Sequence, residues 1–226
     1  MKALLTLLMT LAWCAQAHEI PPAFRKHCVQ LPESSLRFSV ARVEPVIDQN
    51  FSLTELRTFV SAASGAVVLS VTELKGMVDI ELTRRSASDP ASGLHCARYS
   101  AVITLGDAPQ EVHIARELPA DSCVYRMVLD RELENVRINE ARLHATAQAL
   151  TAQAFGEFGP RAWYGSLDEI ADQVRTELTT VWLARADRLL QPASDAHAMQ
   201  RTDLRRGIDL SECVEMKPTL TAAVDY

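Results

Sequence analysis

Glu132 sits in "VLDRELENVRINEARL", residues 128 to 143, between Arg131 and Asn135. On a helix Arg131 and Asn135 are one turn apart, at positions i and i+4. A hydrolytic zinc helix uses that spacing for two imidazoles aimed at one ion. The glutamate after the first imidazole then acts as base toward the bound water, giving the pattern His-Glu-x-x-His. Here the glutamate is present and both imidazoles are replaced. Arginine carries a permanent positive charge that repels a dication. Asparagine offers a weak neutral oxygen, ill suited to zinc. Glu132 by itself cannot hold the ion.

Other residues could complete a site. Glu140 falls inside the apolar series Leu129, Leu133, Val136, Glu140, Leu143, Ala147 and Leu150, whose steps alternate four and three. A carboxylate in such a stripe reads either as a solvated edge position or as half of an ion pair with an arginine such as Arg137 or Arg142. The mature chain carries His18, His27, His95, His113, His144 and His197. No two of them have helical metal spacing. His95 and His113 fall on neighbouring predicted strands. His113 alternates with Val112 and Ile114 and is expected to face solvent. His144 is expected to point away from the Arg131–Asn135 flank. His197, two residues after Asp195, is the best remaining source of a late metal ligand. Nucleophilic chemistry has no support: there is no Gly-x-Ser-x-Gly elbow and no Gly-x-Gly loop.

The elements that must hold these residues follow from periodicity. "LRFSVARV" (36–43) alternates like a strand, and Ser52 with Glu55 forms a capping box that opens a helix over 52–64. "AVVLSVTEL" and "MVDIELT" read as a hairpin across Lys75-Gly76. "SASDPASG" (86–93) reads as a loop, and "LHCARYSAVITL" pairs with "QEVHIAREL" across Gly106-Asp107. From Asp121 or Ser122 the period becomes helical and stays so until Gly159-Pro160. A second long helix covers 166–190, opened by a Ser166–Glu169 capping box and ended by Pro192. Strands first and helices second predict an α+β domain, with an antiparallel sheet in the N-terminal half packed against two long C-terminal helices. The core is expected over about 36–190, with an irregular tail over 191–226.

The segment "SCVYRMVLDRELENVRINEARL" resembles a bacterial family of predicted secreted zinc-dependent proteases. Their strand region leads through a Cys-containing turn into a helix with His-Glu-x-x-His and then apolar-x-Ile-x-Glu. Val136, Ile138 and Glu140 match the second part, and Glu132 matches the glutamate of the first. The resemblance implies Glu132 as general base or acid, with Glu140 as a supporting carboxylate beside Asn135 and Arg131. Neither histidine transfers, so it implies a degenerate member without catalytic zinc.

The ends and composition bound the setting. "MKALLTLLMTLAWCAQA" has one charge, an apolar run and an Ala-x-Ala site, the layout of a signal peptide over 1–17. A single α+β domain is then expected over 18–226, periplasmic or secreted. Removing Lys2 with the leader takes the net charge from −6 to −7. A mildly acidic chain without a basic block argues against nucleic acid as partner. No later stretch is long and apolar enough to cross a membrane. Four cysteines remain: Cys28, Cys96, Cys123 and Cys213. Three pairings into two disulfides exist. The favoured one joins Cys96 to Cys123 and Cys28 to Cys213. The expected function is a non-catalytic exported binding module for a protein or envelope component, without a cofactor. The alternative is a zinc hydrolase using Glu132 with ligands such as His197 and Asp195.

Overall fold

The computed structural model describes residues 20–60, 67–73, 78–106, 109–190 and 213. The predicted leader, His18, Asp195, His197 and the rest of the tail apart from Cys213 lie outside the described residues.

The described chain is mixed α+β. It runs α1 (Pro22–Val29), β1 (Ser35–Val40), β2 (Val46–Asp48) and α2 (Leu53–Leu56) with a 3-10 turn (Arg57–Phe59). Next come β3 (Ser70–Glu73), β4 (Val78–Asp89), β5 (Leu94–Leu105) and β6 (Glu111–Ile114). The C-terminal part holds α3 (Cys123–Glu157), β7 (Trp163–Gly165) and α4 (Leu167–Glu177). A π-helical turn (Leu178–Leu183) carries α4 on to residue 190. The predicted caps are present. Ser52 with Glu55 and Ser166 with Glu169 form complete capping boxes, and Ser122 accepts from the Tyr125 N–H at the start of α3. The helix expected over 52–64 is shorter: α2 and its 3-10 turn end at Phe59.

The strands form two sheets, and neither predicted hairpin exists. The larger sheet has the order β1-β5-β4, with β7 on the same edge of β5 as β1. The smaller has the order β2-β6-β3. Thus β3 and β4, adjacent in sequence, separate into different sheets, as do β5 and β6. The reason is length. β4 and β5 are both 12 residues long and pair along their whole extent, from Val78↔Leu105 to Asp89↔Leu94. Residues 86–89, expected in a loop, complete β4. The turn is 90–93, where Gly93 adopts φ 67° and its N–H reaches the Asp89 carbonyl at 2.8 Å. The sheets are not purely antiparallel either, because β1 runs parallel to β5 and β2 parallel to β6.

α3 joins the two sheets. Its 35 residues span about 50 Å at 1.5 Å per residue. The C-terminal half contributes Ala147, Leu150 and Ala154 to a core with Phe38, Ile103, Ile170 and Trp182. The N-terminal half contributes Val124, Val128 and Val136 to a second core with Leu56, Val112, Ile114 and Leu118. Two disulfides staple the periphery: Cys28–Cys96 fastens α1 to β5, and Cys123–Cys213 fastens residue 213 to the start of α3. The favoured pairing, Cys96 with Cys123 and Cys28 with Cys213, is therefore incorrect. Cys96 lies on the larger sheet beneath α1, whereas Cys123 belongs to the core of the smaller one. Among the described residues no helix is long and apolar enough to cross a membrane.

Candidate functional site

The buried face of α3 is rotated from the predicted stripe. In its N-terminal half the buried residues are Val124, Val128, Glu132, Asn135, Val136 and Asn139. Glu132 is thus inside the protein, at 5% exposure. Glu140 stands outside with a side chain 43% exposed, and its partner is His144 at 4.0 Å. Neither expected arginine pairs with Glu140. Arg137 bonds to Glu134, and Arg142 donates to the Leu190 carbonyl. The rotation has a tertiary cause. β3 presents Ser70 and Thr72 to α3, and these hydroxyls attract a polar helix face.

Three donors surround the Glu132 carboxylate. Ser70 Oγ donates to Oε1 at 2.7 Å, Thr72 Oγ1 to Oε2 at 2.5 Å, and Asn135 Nδ2 to Oε2 at 3.2 Å. Burying a carboxylate is costly unless such bonds replace its water. Hydrogen bonds to a charged group are worth roughly 1.5–3 kcal/mol each. The arrangement ties α3 to β3 across the smaller core. It does not suit zinc. Asn135 turns its amide donors toward Glu132, which leaves its nitrogen where a ligand lone pair would be needed. Arg131 is a half-buried cation whose Nε has no hydrogen-bond partner. No hydrolytic step is derived through Glu132.

A second cluster lies on the other face of the smaller sheet. Directly paired residues point to the same side of a sheet, and residues two apart on a strand share a side. Glu73 pairs with Glu111, and Asp48 and Val71 both pair with His113. The register therefore sets Asp48, Glu73, Glu111 and His113 on one face, opposite Thr72 and Glu132. His113 is buried, with 4% of its side chain exposed, contrary to the solvent-facing expectation. β6 is the central strand, and Phe51 and Phe59 cover the imidazole with ring centroids 4.8 and 5.4 Å away. Alternation alone could not reveal that second cover. Nδ1 lies 3.3 Å from Asp48 Oδ2, and Nε2 lies 3.6 Å from Glu73 Oε2 and from Glu111 Oε2. The sequence signal for this group was Glu111-Val-His113, an i, i+2 pair on a strand. His95, on the larger sheet, comes nowhere into the cluster. Compared with known protein families, curated proteins and solved structures, the chain matches none of them.

Proposed function

We propose that this chain is an exported, non-hydrolytic binding module of the bacterial cell envelope, with a protease-like helix that has become purely structural. The observation that carries the reading is the enclosure of Glu132. A general base must reach the water or hydroxyl whose proton it takes. Glu132 is 5% exposed, and both its oxygens are engaged by Ser70, Thr72 and Asn135. Two disulfides favour an oxidising compartment. The partner under this reading is a protein or envelope component.

The test is a peptidase assay on the mature chain and on Glu132→Gln, with a peptide library and unfolded casein. No turnover above buffer is expected from either, while Glu132→Gln lowers the melting temperature. Turnover that Glu132→Gln abolishes in a folded protein would overturn the proposal and favour the hydrolase. In-cell photo-cross-linking from surface positions is then expected to trap a specific envelope component.

A further inference from the structure

We propose that Glu73, Glu111 and His113 form a binding site for a first-row divalent cation, with His113 oriented by Asp48. The site is independent of the reading above, because it lies on the opposite face of the smaller sheet from Glu132.

One donor atom from each of the three residues lies within 4.8 Å of the other two. The imidazole Nε2 is 3.6 Å from each carboxylate. Around a tetrahedral ion with bonds near 2.0–2.2 Å, donors stand roughly 3.3–3.6 Å apart. Two of the three separations thus match a shared ion, and the third lies within 4.8 Å, a gap that carboxylate side-chain rotation can close without moving a strand.

His113 Nε2 is buried and has no hydrogen bond. The Glu73 and Glu111 carboxylates both stand 3.6 Å from Nε2, beyond hydrogen-bond distance from it. The opposite nitrogen faces Asp48 Oδ2 at 3.3 Å. That is the carboxylate–histidine arrangement that aims the other ring nitrogen at a metal.

The ligands stand on β3 and β6 and the orienting carboxylate on β2, in direct register, so the backbone sets their spacing. Phe51 and Phe59 fix the plane of the ring. The side chains of Glu73 and Glu111 are 45% and 31% exposed, which gives an ion a path in and leaves coordination positions facing water. Two carboxylates balance the charge of a dication. One imidazole with two carboxylates suits zinc, manganese or cobalt(II), whereas calcium and magnesium prefer all-oxygen sites.

The test uses the mature, disulfide-bonded chain after chelation and dialysis. It is titrated calorimetrically with Zn(II), Mn(II) and Co(II), and the Co(II) complex is read by visible absorption. One ion per chain is expected, with a rise in melting temperature. His113→Gln and the double variant Glu73→Gln/Glu111→Gln should each weaken binding at least about 100-fold. Asp48→Asn should weaken it by about 10–100-fold at unchanged stoichiometry, as loss of an orienting partner does. Glu132→Gln should leave the affinity unchanged. Circular dichroism confirms folding; since Glu73 and Glu111 are partly exposed, their variant decides the test if His113→Gln unfolds. Absence of a stoichiometric ion up to millimolar metal, or undiminished binding by the folded variants, overturns the site and leaves the non-hydrolytic reading intact. Metal binding that depends on Glu132 instead of His113 overturns both.

Discussion

A single carboxylate can be read as chemistry or as architecture, and the difference lies in what surrounds it. Glu132 has the sequence position of a catalytic base and the surroundings of a structural anchor. Replacing it with glutamine puts an amide where Thr72 or Ser70 now donates, and leaves a buried polar atom poorly matched. Glu132→Gln should cost about 1–3 kcal/mol of stability, measurable by urea denaturation. Glu132→Ala should cost at least as much, because Ser70, Thr72 and Asn135 all lose their acceptor. A variant as stable as the parent would contradict the anchoring role. By contrast Glu140→Gln should change stability by no more than about 0.5 kcal/mol. Its side chain is 43% exposed, and its ion-pair partner among the described residues is His144 at 4.0 Å. Glu140 takes a solvated edge position, whereas Glu132, which only flanks the apolar stripe, is the glutamate that is buried.

At the scale of the element, the capping boxes make the sharpest prediction. Glu169 accepts from the Ser166 N–H at 2.8 Å, and the bonds from Ser166 hold its carboxyl below the usual carboxylate range. A depressed folded-state pKa adds stability that is complete above the unfolded value. That contribution fades as pH falls through the folded-state pKa. The melting temperature of Glu169→Gln should therefore lie below that of the parent at pH 7. The gap should close as pH falls below about 4.3, the ordinary glutamate value. A gap that widens in acid would contradict the cap. Glu55 at α2 is lowered in the same way by Ser52, aided by Arg116 4.0 Å away, so both helix starts weaken in acid.

For the whole molecule, the disulfides and the shared helix decide cohesion. Cys28–Cys96 and Cys123–Cys213 close loops of 68 and 90 residues in sequence separation. On the chain-entropy view each stabilises by about 4 kcal/mol. Non-reducing peptide mapping should recover Cys28 linked to Cys96 and Cys123 linked to Cys213, with no Cys96–Cys123 peptide. Replacing both Cys28 and Cys96 by serine should lower the melting temperature by several degrees and free α1 from the larger sheet, seen as faster hydrogen exchange in Pro22–Val29. Cys123→Ser/Cys213→Ser should leave that exchange unchanged, because that pair staples the other core.

The sequence by itself determined what depends on near neighbours. Ser52 and Ser166 announce their helices because a capping box is made with a residue three positions away. The change of period at residue 121 marks α3, and alternation marks the strands. The starts of α2, α3 and α4 and the extent of β5 were legible for that reason, whereas α1, β2 and β7 carried no such signal and the ends of α2 and β4 fell elsewhere than expected. Partners were not. β1 pairs with β5 across 65 residues, and β4 chooses β5 over its neighbour β3 because their lengths match. The burial of Glu132 follows from hydroxyls on β3, sixty or so positions away, that no helical pattern contains. His113 could be placed on an alternating strand, but its cover by Phe51 and Phe59 and its grouping with Glu73, Glu111 and Asp48 arise only when β2, β6 and β3 assemble. Local hydrogen bonds and side-chain period are written residue by residue. The face that becomes interior, the cysteine that meets a cysteine and the carboxylates that meet an imidazole are set by long-range packing, so only the tertiary structure decided them.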